Sequence, residues 1–271
     1  MRDFSASLPP ADQADGLRRL FAQSRVRLVP VVSNPHMTSG GALLDQLCAA
    51  LVDEGASVLL VDAAESAPAL AELSAMSLAE GIEPLAPRLG YLAARGLPMS
   101  WLDARGSTAP FLQAVVDAAP AADMVLVHAS PTELSRLFAR QTLCAGVRPV
   151  LLADDRPASV MHAYAALKLL VQRAQLMVHH LLLDAAAASP RAERIARQVA
   201  SCADLFLGAT LHSSARIDPR VPAFGTASTA LRCVARALIE PATAATVADD
   251  APWRGVQPHA APAPARQHAL N

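Results

Sequence analysis

A strand–loop–helix–strand unit between Leu28 and Asp62 constrains the fold more than any other stretch of this chain. It runs from Leu-Val-Pro-Val-Val through the loop Ser-Asn-Pro-His-Met-Thr-Ser-Gly-Gly and a helical pattern to Val-Leu-Leu-Val-Asp. This is the layout of a nucleotide-binding βαβ unit. The loop lacks the groups that hold a phosphate, because no Lys follows Gly40 and Gly41 and Pro35 removes a backbone donor. We therefore interpret it as a plain strand-to-helix turn.

The composition is that of a folded protein with a sizeable apolar core. Of the 271 residues, 53% are hydrophobic, and the formal net charge of -1 gives no basic field to attract nucleic acid or an anionic membrane. Four cysteines lie far apart, which favours reduced thiols over a zinc site or disulfides. They are Cys48, Cys144, Cys202 and Cys233. Because the N-terminus has no apolar secretion signal, we expect a cytoplasmic protein.

Apolar runs alternate with helical patterns from residue 26 onward, and the runs lack polar alternation. Such strands suit a mainly parallel sheet with helices on both faces, so we predict a doubly wound α/β domain over residues 26–240. Residues 1–25 are predicted to form an extended lead and a short helix, and the Ala- and Pro-rich residues 241–271 a disordered tail. The predicted strands are Leu28–Val32, Ser57–Asp62, Gly90–Ala93, Met124–His128, Pro149–Ala153, Leu176–Leu182 and Leu205–Leu211. The predicted helices are Ala42–Asp53, Ala67–Ala79, Thr108–Ala118, Thr132–Cys144, Ala158–Arg173, Pro190–Cys202 and Ser228–Ile239.

Polar residues follow several of these strands, at the edge where doubly wound sheets bind ligands. Asp62 fits a magnesium ligand and a simple polar strand end equally well. His128 has no second ligand at a helpful spacing, so we interpret it as a tolerated polar residue. Asp154 and Asp155 precede Pro157, an arrangement that predicts a carboxylate cap on the next helix.

Two further histidine-containing arrangements are weaker candidates. A hydrolase triad could draw on Ser33, His128 and Asp154, but the sequence has no Gly-x-Ser-x-Gly elbow, so we disfavour it. His179 and His180 alternate across a strand and cannot both face one site. We interpret both as structural.

Three stretches carry a family resemblance. Residues 27–62 resemble the opening of MinD/ParA-type P-loop ATPases, specifically of the FlhG (or FleN) regulators of flagellar number. Residues 12–20 resemble the DQAxxLR helix that FlhG proteins carry ahead of the ATPase fold, and residues 157–168 resemble the family's P-x-S-x-x-D-A-Y-x-x-x-K helix, with His162 in place of Asp. The resemblance extends to about Ile239 and implies a MinD/ParA-like P-loop NTPase fold.

The resemblance also places the family's nucleotide loop on residues that cannot perform its chemistry. The signature Lys falls on Pro35, the phosphate-binding Lys on Gly40 and the magnesium-binding Thr on Gly41. This degenerate loop also contains two serines, Ser33 and Ser39.

The acidic positions of the family are only partly retained. The first Asp after the second strand is kept as Asp62, but the second, catalytic Asp falls on Ala64, and the Asp expected at the end of the Met124 strand is His128. Loss of one such group slows phosphoryl transfer by orders of magnitude. We therefore predict a pseudo-ATPase with no cofactor.

The N-terminal motif is intact and implies a partner. In the family this helix engages the GTPase FlhF and stimulates GTP hydrolysis, so the resemblance makes Gln13 the candidate for orienting the attacking water. The accompanying partner-binding residues are Asp12, Ala14, Leu17 and Arg18. The alternative is an ordinary amphipathic helix that docks on its own domain.

These inferences favour a non-catalytic regulator of flagellar biosynthesis and number that is recruited to the cell pole or flagellar base. Flagellar switch proteins or a transcription regulator are further expected partners, and we expect a monomer or a nucleotide-independent dimer. One alternative is a weakly active ATPase that uses ATP and magnesium through Asp62, Ser39 and backbone amides; another is an α/β scaffold repurposed for a different cell-positioning system. The last helix is predicted to pack on the sheet, rather than on a membrane, through Leu231, Val234, Ala235 and Leu238.

Overall fold

The structure is a computed structural model that describes residues 26–68, 77–104, 107–139, 146–186, 189–223 and 227–240. Strands and helices alternate through most of this part of the chain. The strands are β1 (Arg27–Val32), β2 (Val58–Asp62), β3 (Glu83–Ala86), β4 (Leu89–Ala93), β5 (Met124–Ala129), β6 (Val150–Ala153), β7 (Val178–Asp184) and β8 (Thr210–Ile217). The helices are α1 (Gly40–Asp53), α2 (Leu97–Ser100), α3 (Ala109–Ala118), α4 (Pro131–Leu137), α5 (Pro157–Ala174), α6 (Pro190–Leu207) and α7 (Thr229–Ile239).

The strands form one eight-stranded sheet in the order β3-β4-β2-β5-β1-β6-β7-β8. Every neighbouring pair is parallel except β3 and β4, which pair antiparallel at one edge. The central strand β1 lies between β5 and β6. The prediction of a doubly wound, mainly parallel α/β sheet is confirmed.

Helices cover both faces of the sheet, which explains why the strands lack polar alternation. Val125 and Val127 of β5 belong to a core with helices α3 to α6. Met124 and Leu126 of the same strand belong to a second core with α1 and α7. Both sides of a central strand are therefore removed from water, so both sides must be apolar.

The strand predicted at residues 205–211 is wrong. Helix α6 continues to Leu207, Gly208 ends it with a φ of 60°, and β8 begins at Thr210. The left-handed conformation at Gly208 is a common helix terminator. The run Leu-Phe-Leu that resembled a strand is thus the last turn of an amphipathic helix.

Other differences lie at edges and termini. The short edge strand β3 was not predicted; it is largely exposed and contains Pro84, both atypical of a core strand. Helix α2 was also not predicted, and α4 ends at Leu137, earlier than expected. The predicted helix at 67–79 falls mainly on residues 69–76, which lie outside the described residues, as do the predicted N-terminal helix and C-terminal tail. The remaining predicted strands and helices are confirmed to within two residues, apart from the longer α6.

The last helix packs on the sheet as predicted. Its four apolar residues Leu231, Val234, Ala235 and Leu238 are buried. The carboxylate of Glu54, which follows α1, accepts hydrogen bonds from the side chains of Arg232 and Arg236 at 2.8 and 2.7 Å. In the part of the chain that is described, no helix is long and apolar enough to cross a membrane.

Candidate functional site

The candidate site is the loop of residues 33–39, which leaves the carboxyl end of β1 and enters α1. Strands β2 to β5 lie on one side of β1 in the sheet, and strands β6 to β8 lie on the other side. This loop, which leaves β1, therefore lies where the strand order reverses. In open α/β sheets that position is the usual ligand crevice. The sequence prediction of the site's location therefore agrees with the topology.

Three backbone donors of this loop are engaged within the protein. The Ser33 N–H donates to the carbonyl of Ala129 at 2.9 Å, and the Met37 N–H donates to the carbonyl of Asn34 at 3.1 Å. The His36 N–H donates to Oδ1 of Asn34 at 3.1 Å. Pro35, between them, has no N–H. A phosphate loop works by pointing successive N–H groups at the anion, and residues 35–37 offer none that is unengaged.

Asn34 fastens the loop to the neighbouring strand and helix. Its side-chain Nδ2 lies 2.8 Å from the carbonyl of Leu152 and 3.0 Å from Oγ of Ser159. Both Asn34 and Ser159 are buried, and Oγ of Ser159 in turn accepts the N–H of Asp154 at 3.0 Å. Sequence reasoning missed Asn34. An amide side chain between a predicted strand and a proline was visible in the sequence. The residues that Asn34 contacts are more than 100 residues away along the chain.

A second contact to the same loop comes from α5. Nε2 of His162 lies 3.2 Å from the carbonyl oxygen of Ser33. Burial lowers the pKa of His162, the Ser33 carbonyl opposes that change, and His36 adds to it. The ring centroids of His36 and His162 are 5.7 Å apart, in an edge-to-face arrangement. The family motif carries Asp at position 162, and here a histidine holds the loop through its backbone.

Ser39, which immediately precedes α1, does not cap the helix with its side chain. Its hydroxyl donates to Oδ2 of Asp184, at the end of β7. The Ser39 side chain therefore links the start of α1 to the end of β7.

Asp62 and His128 form a pair at the ends of β2 and β5. These strands are parallel neighbours in which the two residues are in register, so their side chains lie on the same face. Nδ1 of His128 is 2.9 Å from Oδ1 of Asp62, and the same oxygen accepts the Ala64 N–H at 3.2 Å. Burial, followed by the Asp62 and Glu83 carboxylates, raises the pKa of Tyr91, which hydrogen-bonds Asp62. His128 is therefore the partner of a largely buried carboxylate, and its interpretation as a tolerated polar residue gains a specific contact.

The predicted carboxylate cap on α5 is also wrong. Position 156, directly before the helix, makes no side-chain cap. Instead Oδ1 of Asp154 accepts the Arg156 N–H at 2.9 Å and Oδ2 accepts Nε of Arg156 at 2.8 Å. Burial raises the pKa of Asp154, but the hydrogen bonds from Arg156 outweigh it and hold the pKa below its ordinary value. Asp155 contacts Arg191 at 3.4 Å.

The hydrolase triad is not assembled in this structure. His128 pairs with Asp62, while Asp154 pairs with Arg156. The contacts of Ser33 are made by its backbone groups, which bond to the neighbouring strand and to His162. His179 and His180 are both fully buried, consistent with the structural interpretation.

The site does not fit magnesium-bound ATP, the ligand that the resemblance associates with this position. Lys168 is the single lysine of the 271 residues, and it lies eleven residues past the start of α5, about 16 Å along the helix axis. Gly40 and Gly41 bring no side chain to the loop. Among the described residues, no group of three or more His, Cys, Asp or Glu side chains is placed to hold a metal ion.

The remaining predicted site residues are those of the N-terminal motif. Asp12, Gln13, Ala14, Leu17 and Arg18 lie outside the described residues, so their expected role in partner binding stays a prediction.

Comparison with solved structures places this geometry in a known fold. The MinD protein in the MinC:MinD cell division complex of Aquifex aeolicus is similar, with a TM-score of 0.52 and 14% identity over 79% of this chain and 96% of that one. Cobyrinic acid a,c-diamide synthase from Mycobacterium smegmatis, bound to an ATP analog and magnesium, is similar with a TM-score of 0.55 and 14% identity, covering 79% and 94% of the two chains. A plasmid partition protein from Borrelia burgdorferi gives a TM-score of 0.50 and 10% identity over 79% and 96%.

No protein-family model matches the chain, and no curated protein matches it by sequence. The overall fold nevertheless agrees with these solved structures, with TM-scores of 0.52 and 0.55 over 79% of this chain. The chain therefore has the fold of the MinD/ParA-type P-loop ATPases.

Proposed function

We propose that this chain is a non-catalytic regulator of the FlhG type, which acts in flagellar biosynthesis by binding an FlhF-like GTPase through residues 12–18. The observation that carries the loss of catalysis is the engagement of the loop donors. The N–H groups of His36 and Met37 are both bonded to Asn34, and Pro35 has none. A phosphate at this loop would find no free backbone donor at residues 35–37, and no lysine of the loop would neutralise its charge.

The remaining polar groups support the same conclusion. A weakly active ATPase would depend on Asp62 and Ser39, the retained polar side chains of the site. Asp62 is paired with His128, and the Ser39 hydroxyl is bonded to Asp184. We therefore propose that neither ATP nor magnesium is a cofactor of this protein, and that its output is binding.

The flagellar role and its partner rest on the N-terminal motif. In GTPases a glutamine orients the attacking water, and Gln13 is proposed to supply or support such a group at the partner's site. Asp12, Leu17 and Arg18 would position it. A solved protein of the same fold, MinD, is described in complex with MinC, which supports partner binding as a use of this scaffold. The GTPase is proposed to recruit the chain to the cell pole or flagellar base, where switch proteins or a transcription regulator are further partners.

The proposal is tested by measuring GTP turnover of a purified FlhF-like GTPase with the full chain. The wild-type chain is expected to stimulate turnover, Gln13→Ala to reduce the stimulation by about tenfold or more, and Gln23→Ala, a glutamine outside the motif, to retain it. Equal stimulation by the wild-type chain and Gln13→Ala would refute the role of Gln13. Absence of any binding to the GTPase would favour a scaffold repurposed for another system.

The loss of nucleotide binding has its own test. Isothermal titration of the full chain with ATP and magnesium is expected to give no measurable heat of binding at micromolar concentrations. Magnesium-dependent micromolar binding would overturn the pseudo-ATPase proposal and favour the active alternative.

A further inference from the structure

An exposed apolar patch lies at the amino end of the sheet, around the last turn of α6. Leu205 is 74% exposed and Phe206 is 67% exposed, and Met177, just before β7, is 37% exposed. The Thr210 N–H donates to the Met177 carbonyl at 2.8 Å, which joins the start of β8 to the start of β7 at this point. We call Met177, Leu205 and Phe206 the α6 patch.

The exposure of this patch is unusual within the molecule. Nowhere else in the described residues are two consecutive large hydrophobic side chains both more than 60% exposed. Ala203, one turn earlier on the same helix, is fully buried, as is Ala209 after it. Grouped apolar side chains at a surface mark a place where something binds.

The N-terminal segment enters the fold at the same edge and on the same face. Val26, the first described residue, packs against the core cluster that includes Ala203 and Ala209. Strands β1, β6, β7 and β8 are parallel neighbours, so their amino ends share one edge of the sheet. The start of β7 is two strand spacings, or about 10 Å, from the start of β1.

The chain is long enough to bring the segment to the patch. Residues 24 and 25 lie between Gln23 and Val26, and three steps of extended chain span up to about 10 Å. This equals the lateral distance between the two strand starts. Residues 12–23 can therefore lie across the amino edge without disturbing β1.

The sequence of the segment complements the patch. Ala14, Leu17 and Phe21 recur at helical spacing and would form one apolar face. A helix this short is marginal in water unless its apolar face is covered. The segment carries Arg18 and Arg19 together with Asp12 and Asp15, and the exposed carboxylate of Asp204 lies beside Leu205, so an arginine of the segment can face a carboxylate at the rim.

We propose that residues 12–23 dock on the α6 patch of their own chain and bury Leu17 and Phe21 against Leu205 and Phe206. While docked, the segment is withheld from any partner, so the contact is self-inhibitory. The docking stands on the geometry alone, whereas its inhibitory consequence rests on the proposed binding of a GTPase.

Hydrogen exchange of the full chain, read by mass spectrometry, tests the docking. Peptides from residues 12–23 are expected to exchange about tenfold faster in the double variant Leu205→Ser/Phe206→Ser than in the wild-type chain, because opening no longer costs the apolar contact. Met161→Ser, at an equally exposed methionine on α5, is the matched control and is expected to leave the exchange unchanged. Thermal melting checks that both variants are folded. Equal exchange of residues 12–23 in the wild-type chain and the folded double variant overturns the proposal.

Two other occupants of the patch are distinguished in the same experiment. Protection of residues 12–23 that disappears on dilution indicates a second copy of the chain and overturns the proposal. Wild-type binding to vesicles of anionic phospholipid that the double variant loses indicates a membrane surface and also overturns it.

GTP turnover separates this proposal from the proposed function. The double variant is expected to stimulate an FlhF-like GTPase several-fold more than the wild-type chain at subsaturating concentration, and Gln13→Ala is expected to remove the stimulation in both backgrounds. If no variant stimulates the GTPase, the proposed function fails, while the exchange measurement still decides whether the segment docks.

Discussion

Asp62 and His128 hold each other at the carboxyl ends of neighbouring strands, with 2.9 Å between Oδ1 of the carboxylate and Nδ1 of the imidazole. Both side chains are more than 80% buried. Asp62 is thus one half of a pair that joins the carboxyl ends of β2 and β5. The pair offers a direct test of what each side chain contributes to the stability of these strand ends.

Replacing the histidine with the acid that the resemblance expects should destabilise the protein. In His128→Asp two buried carboxylates would face each other, and we expect the free energy of unfolding to fall by about 1–3 kcal/mol near neutral pH. The loss should shrink at acidic pH, because protonation of one carboxyl relieves the repulsion. Urea denaturation at two pH values measures both effects.

His128→Asn is the matched control for this prediction, since its side-chain amide can still donate to Asp62 without adding a charge. It should cost less than the aspartate variant at neutral pH. An aspartate variant as stable as the wild-type protein would show that the contact of His128 with Asp62 is not needed for stability.

Asn34 should be the main anchor of the loop. In Asn34→Ala the buried carbonyl of Leu152 loses its side-chain donor and Ser159 loses a partner, so we expect a loss of about 2–3 kcal/mol in the free energy of unfolding. Thr38→Ala, at an exposed position in the same loop, should change stability by less than about 0.5 kcal/mol. Urea denaturation of the two variants makes the comparison, and similar losses would contradict the anchoring role.

The buried histidines of β7 should make the protein sensitive to acid. Burial lowers the pKa of His179 from 6.5 to about 4, against an opposing contribution from the Met177 backbone. Between pH 6.5 and about pH 4, His179 binds a proton in the unfolded chain but stays neutral in the folded chain. This contribution to stability is therefore present above pH 6.5 and is lost as the pH falls toward 4.

His179→Leu tests this source of pH dependence. Between about pH 7 and pH 5, the free energy of unfolding of the variant should fall by about 1–2 kcal/mol less than that of the wild-type protein. Denaturant unfolding at each pH measures this difference. His36→Leu, at an exposed histidine, should retain the wild-type slope. His180 should keep some acid sensitivity in both variants, because burial, with the charges of His212 and Arg148, lowers its pKa to about 3. An unchanged slope in His179→Leu would contradict the prediction.

The fold could be predicted from local sequence because its strands are buried on both faces. Runs such as Val-Leu-Leu-Val in β2 suit a strand that is covered by helices on both faces. The same signal misled at residues 205–207, since a short apolar run fits the end of a helix as well as a strand. The shortness of the run and the glycine after it were the only local signs that it ends a helix.

The site was less predictable because its contacts join distant parts of the chain. Asn34 reaches Leu152 and Ser159 across 118 and 125 residues, and nothing near Asn34 encodes that distance. The pairing of Asp62 with His128 was easier to predict, because both residues end predicted strands. It required the strand order, which puts β5 beside β2.

Restoring the missing side chains alone should not restore nucleotide binding. A Cβ atom at Gly40 or Gly41 would meet nothing within 4 Å, so the triple variant Pro35→Lys/Gly40→Lys/Gly41→Thr is sterically possible and should fold. The N–H groups of His36 and Met37 would still be bonded to Asn34, so these two donors would still be turned away from a phosphate. We expect no binding of ATP and magnesium by isothermal titration up to about 1 mM, with Pro35→Ala/Gly40→Ala/Gly41→Ala as the control for changes in the loop backbone. Micromolar binding by the lysine variant and none by the alanine variant would show that the side chains were the only missing part, and that the internal hydrogen bonds of the loop yield easily to a ligand.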